Sequence, residues 1–98
     1  MKRERKIFSG RSNPVLAKKI AQSADCELGD ISIKTFSDGE IWVKYEENIR
    51  GQDVFIVQST NGPSENIIEL ALMTDAAVRA SASTVNIIMP YFGYGRQD

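Results

Sequence analysis

Ninety-eight residues, 42% hydrophobic and 26% charged, describe one ordinary globular domain with a modest core. A net charge of -1 gives no electrostatic footprint for nucleic acid or for an acidic membrane, so neither is expected as a partner. One cysteine and no histidine exclude an internal disulfide, a Ser-His triad, a histidine general base and any histidine-bearing metal site within the chain.

The basic start "MKRERK" is followed by "IFSGRSNP" and not by a long apolar run. No signal peptide or membrane span is expected, and the cytoplasm is the default location. Residues 6–8, "KIF", are the first strand candidate. Asn13-Pro14 predicts a helix start, with asparagine capping free N–H groups and proline at the first helical position. Leu16, Ile20 and Ala24 recur every four residues as the expected apolar stripe, and Gly29 marks the expected stop or the loop just after it. The period then changes to two. Ile31, Ile33 and Thr35 alternate with polar residues, as do Ile41, Val43 and Tyr45. Asp38-Gly39 between them predicts an antiparallel hairpin with "FSDGE" at its tip, both turn positions tolerating positive φ. Two strands alone are marginal in water, so the hairpin needs a neighbour in its own domain or in another subunit.

"DVFIVQS" carries an apolar run at residues 54–57, the pattern of a strand buried on both faces of a parallel sheet. Asn66 and Glu69 have capping-box spacing. Apolar residues fall almost all round residues 67–82, which predicts a helix buried on more than one side, with Asp75 and Arg79 paired on its surface. "TVNIIMPY" reads as a second buried strand. The order strand, helix, hairpin, strand, helix, strand ends in a βαβ unit. The expected fold is α/β: a mostly parallel sheet with flanking helices and a protruding β-hairpin.

Ligands in such sheets bind beyond the carboxyl ends of the strands. The loops "SGRSN", "STNGPS" and "YFGYGRQD" all leave such ends, and each carries glycine with polar or charged residues. "STNGPSEN" leads into a helix N-terminus that attracts anions, although it lacks the P-loop pattern and most strand-to-helix turns bind nothing. Gly93 and Gly95 either relax a surface loop or let Arg96 stack on a base and grip a phosphate. Asp38 and Glu40 most simply solubilise a turn. Their functional alternative is accepting hydrogen bonds from an adenine amino group or a ribose hydroxyl. Phe36 is an exposed aromatic that is expected to pack on something, and Trp42, on the polar side of its strand, marks either a contact surface or a face covered by its own domain. Cys26 has no activating neighbour, and Glu46-Glu47 reads as a solvated strand end without the further ligands of a metal site.

Taken together, "FSGRSNPVLAKKIA", "FSDGEIWVKYEENIRGQDVFIVQST" and "ELALMTDAAVRASASTVNIIMPYFGYGRQD" resemble the opening of ribose-phosphate pyrophosphokinase, also called phosphoribosyl pyrophosphate synthetase. The resemblance covers essentially the whole chain. It implies a type I phosphoribosyltransferase-like fold, Mg²⁺, and transfer of diphosphate from ATP to the 1-hydroxyl of ribose 5-phosphate. It also implies homo-oligomers that share the ATP site between subunits, with the hairpin and Trp42 buried there. The implied ATP contacts are Phe36, Asp38, Gly39, Glu40, Arg96 and Gln97. Arg50 falls in the implied regulatory phosphate region. Catalytic residues and Mg²⁺ ligands are expected downstream. Residues 1–98 are therefore expected to be an incomplete N-terminal domain, without the C-terminal half and inactive alone. The rival readings are a non-catalytic regulatory relative that binds synthetase subunits, which would alter "SDGE" and "RQD", and a structural module without ligand.

Overall fold

The computed structural model describes residues 4–60 and 62–89, which form β1 (Arg5–Ser9), α1 (Pro14–Ser23), β2 (Ile31–Thr35), β3 (Ile41–Tyr45), β4 (Asp53–Val57), α2 (Glu65–Arg79) and β5 (Thr84–Ile88). β4 is central in a parallel sheet ordered β1-β4-β5, as its apolar run predicts. Alternation along each strand sends neighbouring side chains to opposite faces. Phe8, Val54 and Ile56 pack with Ile49 and with Leu70, Met73 and Ala77 of α2. Ile7 and Val57 face the other way, against Ala17 and Ala21 of α1. β2 and β3 pair antiparallel, Ser32 opposite Lys44 and Thr35 opposite Ile41, and pack on the α2 side through Ile31, Ile33, Val43 and Tyr45.

α1 starts where Asn13-Pro14 predicts. Asn13 Oδ1 accepts from Leu16 N at 3.1 Å and Pro14 is the first helical residue. The buried line, however, is Ala17 and Ala21, with Ile20 and Ala24 at its margin, because alanines let the helix lie close to the sheet. The helix also stops before Gly29. Asp25 takes φ 56°, its N–H donates to Gln22 O at 3.1 Å, and Cys26 N donates to Ala21 O at 2.8 Å. This is a Schellman closure with aspartate where glycine is usual. α2 ends in the same way at Ser81 (φ 65°), with Ser81 N on Val78 O and Ala82 N on Ala77 O. Gly29 serves a different purpose. It runs beside β1, donating its N–H to Ile7 O at 2.7 Å, and a Cβ there would stand 2.3 Å from Phe8 Cε1.

Two expected burials are only half met. The sheet and hairpin cover one side of α2, leaving Ile68 52% and Val78 61% exposed. β5 is the edge of the described sheet, so Ile87 stays 43% exposed.

The hairpin finds its neighbour within its own domain. The rings of Tyr45 and Phe8 meet edge to face, centroids 4.8 Å apart, and Tyr45 Oη donates to Met73 O at 2.8 Å. Burial raises the Tyr45 pKa. At its base, Glu47 accepts from Lys6 Nζ and from Asp30 N, each at 2.7 Å. Glu47 is therefore a tie between hairpin and β1, not the solvated strand end its sequence suggests. Trp42 is exposed, with Lys34 Nζ 5.2 Å from its ring centroid.

Phe8 is fully buried and cannot yield freely, so Gly29→Ala is expected to destabilise the fold by about 1–3 kcal/mol in urea unfolding. The base tie predicts a pH dependence. The Lys6 hydrogen bond, with that from Asp30 N, holds the Glu47 carboxyl below its ordinary pKa, and the Glu47 hydrogen bond holds Lys6 above its own. A lowered carboxylate stabilises fully above about pH 4.3 and loses this as pH falls through its folded value. A raised ammonium stabilises fully below about pH 10.4 and loses this as pH rises through its folded value. The urea-midpoint difference between wild type and Glu47→Gln should be flat between those limits and shrink beyond both. A difference that persists unchanged at about pH 3 removes the assignment.

Candidate functional site

Parallel pairing opens the loops that leave β1 and β4 at one edge, where β5 also ends. Arg96 and Gln97, with Gly93 and Gly95, lie outside the described residues. What the described residues build at this edge is a buried polar cluster. Gln58, immediately after β4, is fully buried. Its Oε1 accepts from Ser12 N at 3.1 Å and Ser12 Oγ at 2.7 Å, and its Nε2 donates to Asn66 O at 3.2 Å and Glu69 Oε2 at 3.0 Å. Ser59 N donates to Ser12 Oγ at 2.8 Å. Gly10 makes room for this packing, since a Cβ there would stand 2.1 Å from Gln58 Oε1.

Glu69 is the anionic centre, only 3% exposed. Besides Gln58 it accepts from Arg11 N and Arg11 Nε, both at 2.7 Å. The capping box expected of Asn66 and Glu69 does not form. α2 begins one residue before Asn66, and Ser64 at its cap makes no side-chain hydrogen bond. Positions 69, 73 and 77 share one helix face, so Glu69 lies on the buried line of Met73 and Ala77 and turns inward. Sequence reasoning missed Arg11, Gln58 and Glu69. The available signals were a polar residue directly after a buried strand and a carboxylate on an apolar helix stripe. Thr60 Oγ1, in the loop after β4, is buried and has no hydrogen-bond partner among the described residues.

The hairpin tip is a five-residue loop, residues 36–40. Phe36 N donates to Glu40 O at 2.8 Å, Gly39 N to Phe36 O at 2.9 Å, and Glu40 N to Asp38 Oδ1 at 3.0 Å. Of the Asp38-Gly39 pair only Gly39 takes positive φ, at 89°. The backbone closes on itself and leaves Phe36 49% exposed, with Asp38 and Glu40 exposed beside it. Among the described residues, none of these three side chains bonds to another element, so the tip is preformed and free to meet something outside its own domain. It adjoins the strand-end edge through Thr35, whose Oγ1 accepts from Arg11 Nη2 at 2.8 Å. A cleft of about 340 Å³ lies here between the loop after β1 and the hairpin, lined by Ser9, Gly10, Arg11, Pro14, Ile31 and Ile33.

Arg50 is not brought together with these residues. It precedes β4 at the opposite, amino-terminal end of the sheet, where its N–H donates to Asn48 Oδ1 at 3.0 Å. Among the described residues no group of three acidic, cysteine or histidine side chains could hold a metal ion. The Glu46-Glu47 pair does not fit Mg²⁺: Glu46 accepts from Ser32 Oγ, and Glu47 is committed to Lys6 and Asp30. No helix among the described residues is long and apolar enough to cross a membrane.

A parallel sheet with a helix on each face, loops opening at its carboxyl edge and a separately packed antiparallel hairpin define an α/β domain. The fold alone is shared with a Staphylococcus aureus hypoxanthine phosphoribosyltransferase, at a TM-score of 0.51 and 16% identity over 90% of this chain and 51% of that one. The chain belongs to the family described as the N-terminal domain of ribose phosphate pyrophosphokinase, whose model matches residues 5–98. Ribose-phosphate pyrophosphokinases from Fusobacterium nucleatum and Bacillus subtilis are 56% and 55% identical to it over 95% of its length. The chain spans about 30% of the length of these curated relatives. A crystal structure of phosphoribosylpyrophosphate synthetase from Mycobacterium smegmatis superposes with a TM-score of 0.90 at 35% identity, covering 98% of this chain and 33% of that one.

Glu69→Gln keeps the volume but sets an amide N–H₂ against donors. It is expected to destabilise the domain by about 1–3 kcal/mol in urea unfolding; an unchanged midpoint would contradict the role given to Glu69.

Proposed function

We propose that this chain supplies the nucleotide-holding part of a cytoplasmic ribose-phosphate pyrophosphokinase, which transfers diphosphate from ATP to the 1-hydroxyl of ribose 5-phosphate. The observation that carries the proposal, in a chain of this family, is the preformed tip with its exposed aromatic and two exposed carboxylates. In this role Phe36 stacks on the adenine ring, and Asp38 and Glu40 accept hydrogen bonds from the adenine amino group or ribose hydroxyls. Gly39 supplies the positive φ that closes the loop. Arg96 and Gln97 complete the ATP contacts, Arg96 by charge and a planar fork.

Among the described residues the Phe36, Asp38 and Glu40 side chains make no hydrogen bond to another element, which suits a site shared between subunits of a homo-oligomer. Arg50, exposed at the far end of the sheet, is proposed for a separate regulatory phosphate region. The transfer itself is an in-line attack on the β-phosphoryl group, with catalysis by positioning and charge stabilisation. Mg²⁺ serves such reactions by neutralising phosphate charge. Its ligands and the groups that carry the transfer are proposed to lie in the rest of the full-length enzyme, and the residues here to orient the nucleotide.

The test joins residues 1–98 to the remainder of the Fusobacterium nucleatum relative and titrates the hybrid with ATP by calorimetry. Asp38→Ala and Arg96→Ala are each expected to weaken binding about tenfold or more. The 98-residue chain alone is expected to form no phosphoribosyl pyrophosphate from ATP, Mg²⁺ and ribose 5-phosphate. Unweakened binding in both variants, or product from the chain alone, overturns the proposal.

A further inference from the structure

Among the described residues, three sets of polar or aromatic contacts hold the hairpin beside its apolar packing, at increasing distance from its base. The first is Lys6–Glu47 with Asp30, and the second is Tyr45 against Phe8 and Met73. The third is Arg11 on Thr35, in the last residue pair of the ladder before the tip opens. Beyond Ile33 and Val43, Lys34, Thr35 and residues 36–40 are exposed, and buried Ile41, opposite Thr35, is the apolar residue nearest the tip. The Arg11 contact is thus the polar anchor nearest the tip among the described residues.

The contact is open to solvent, and a flexible side chain there would add little. Arg11 is not free to swing, however. Its backbone N–H and Nε both donate to the carboxylate of buried Glu69, which orders the planar guanidinium before Thr35 is reached. One side chain therefore spans the loop after β1, helix α2 and the hairpin. Its neighbour Ser12 is held in turn by Gln58 at the end of β4.

We infer that Arg11 is a positioning residue, which fixes the hairpin tip relative to the strand-end loops through the Glu69–Arg11–Thr35 bridge. Its consequence for ATP rests on the nucleotide role proposed above. Arg11 does not touch the nucleotide in this scheme. It sets where Phe36, Asp38 and Glu40 stand.

Thr35→Val removes the accepting hydroxyl with little change of shape and leaves Arg11–Glu69 intact. Thr35→Ser keeps the hydroxyl. In the 98-residue chain, hydrogen exchange at the amides of Phe36, Gly39 and Glu40 should quicken about fivefold in Thr35→Val and stay near wild type in Thr35→Ser, with β4 and α2 unchanged. Arg11→Ala should quicken the same amides, and adding Thr35→Val to it should have no further effect. In the hybrid with the Fusobacterium nucleatum relative, Thr35→Val should raise KM for ATP about fivefold and leave KM for ribose 5-phosphate and kcat unchanged. Unchanged exchange at the tip overturns the bridge and leaves the nucleotide role standing. Quickened exchange with an unmoved KM for ATP, where Asp38→Ala does raise it, overturns Arg11 as a positioning residue. If Asp38→Ala also leaves KM for ATP unmoved, the nucleotide role falls and the inference with it.

Discussion

A two-stranded hairpin in water gains too little from its own ladder to stay formed. β2 and β3 share no ladder with the main sheet, so every property of the tip depends on how the rest of the chain holds them. The solution is graded. An ion pair holds the base, an aromatic edge and a tyrosine hydroxyl hold the middle, and a cationic side chain reaches toward the end. In the middle, Tyr45 meets the fully buried Phe8 ring and bonds to the Met73 carbonyl, beside the apolar packing of Ile31, Ile33 and Val43. The grading keeps the hairpin in place while leaving its last residues uncovered.

The third contact depends on a charge inside the protein. A buried carboxylate is unfavourable unless its oxygens are met by donors, and Glu69 is met by a backbone N–H, a guanidinium and an amide. The same donors come from the segment after β1 and the segment after β4. The group that satisfies Glu69 is therefore also the group that joins two strand-end loops to one helix. Stability and site architecture here rest on the same few hydrogen bonds, so the two cannot be altered independently at this position.

Elements set by local pattern were legible in the sequence: the Asn13-Pro14 start, the alternating hairpin, the apolar run of β4 and the βαβ order. Aromatic and acidic residues at the tip were legible as well, because turn chemistry is local. What was illegible depended on distant partners. Glu69 looks like a cap residue until β1 and β4 present donors to it. Gly29 looks like a helix stop until Phe8 lies under it. Glu47 looks solvated until Lys6 arrives from the first strand. The helix ends were missed for a related reason, since Asp25 and Ser81 stand where a glycine would have signalled them. The all-round apolar pattern of α2 predicted burial on more than one side, and the described residues cover one side of it, leaving Ile68 and Val78 exposed.

Ser81 carries one more implication. A left-handed conformation in a residue with a Cβ costs about 1–2 kcal/mol, so a free helix would not choose to stop there. The stop is imposed from outside: Gly51 N donates to Ser81 O at 2.9 Å, and Ser83 N to Gln52 O at 2.7 Å. These two bonds fix the count of residues between the end of α2 and the start of β5. Side chains in a strand alternate with a period of two, so one added or lost residue would exchange the faces of β5. Val85 and Ile87 would leave the α2 side, and Thr84, Asn86 and Ile88 would take their place against Val54 and Ile56. The strained residue at Ser81 thus acts as a phase setter for the edge strand.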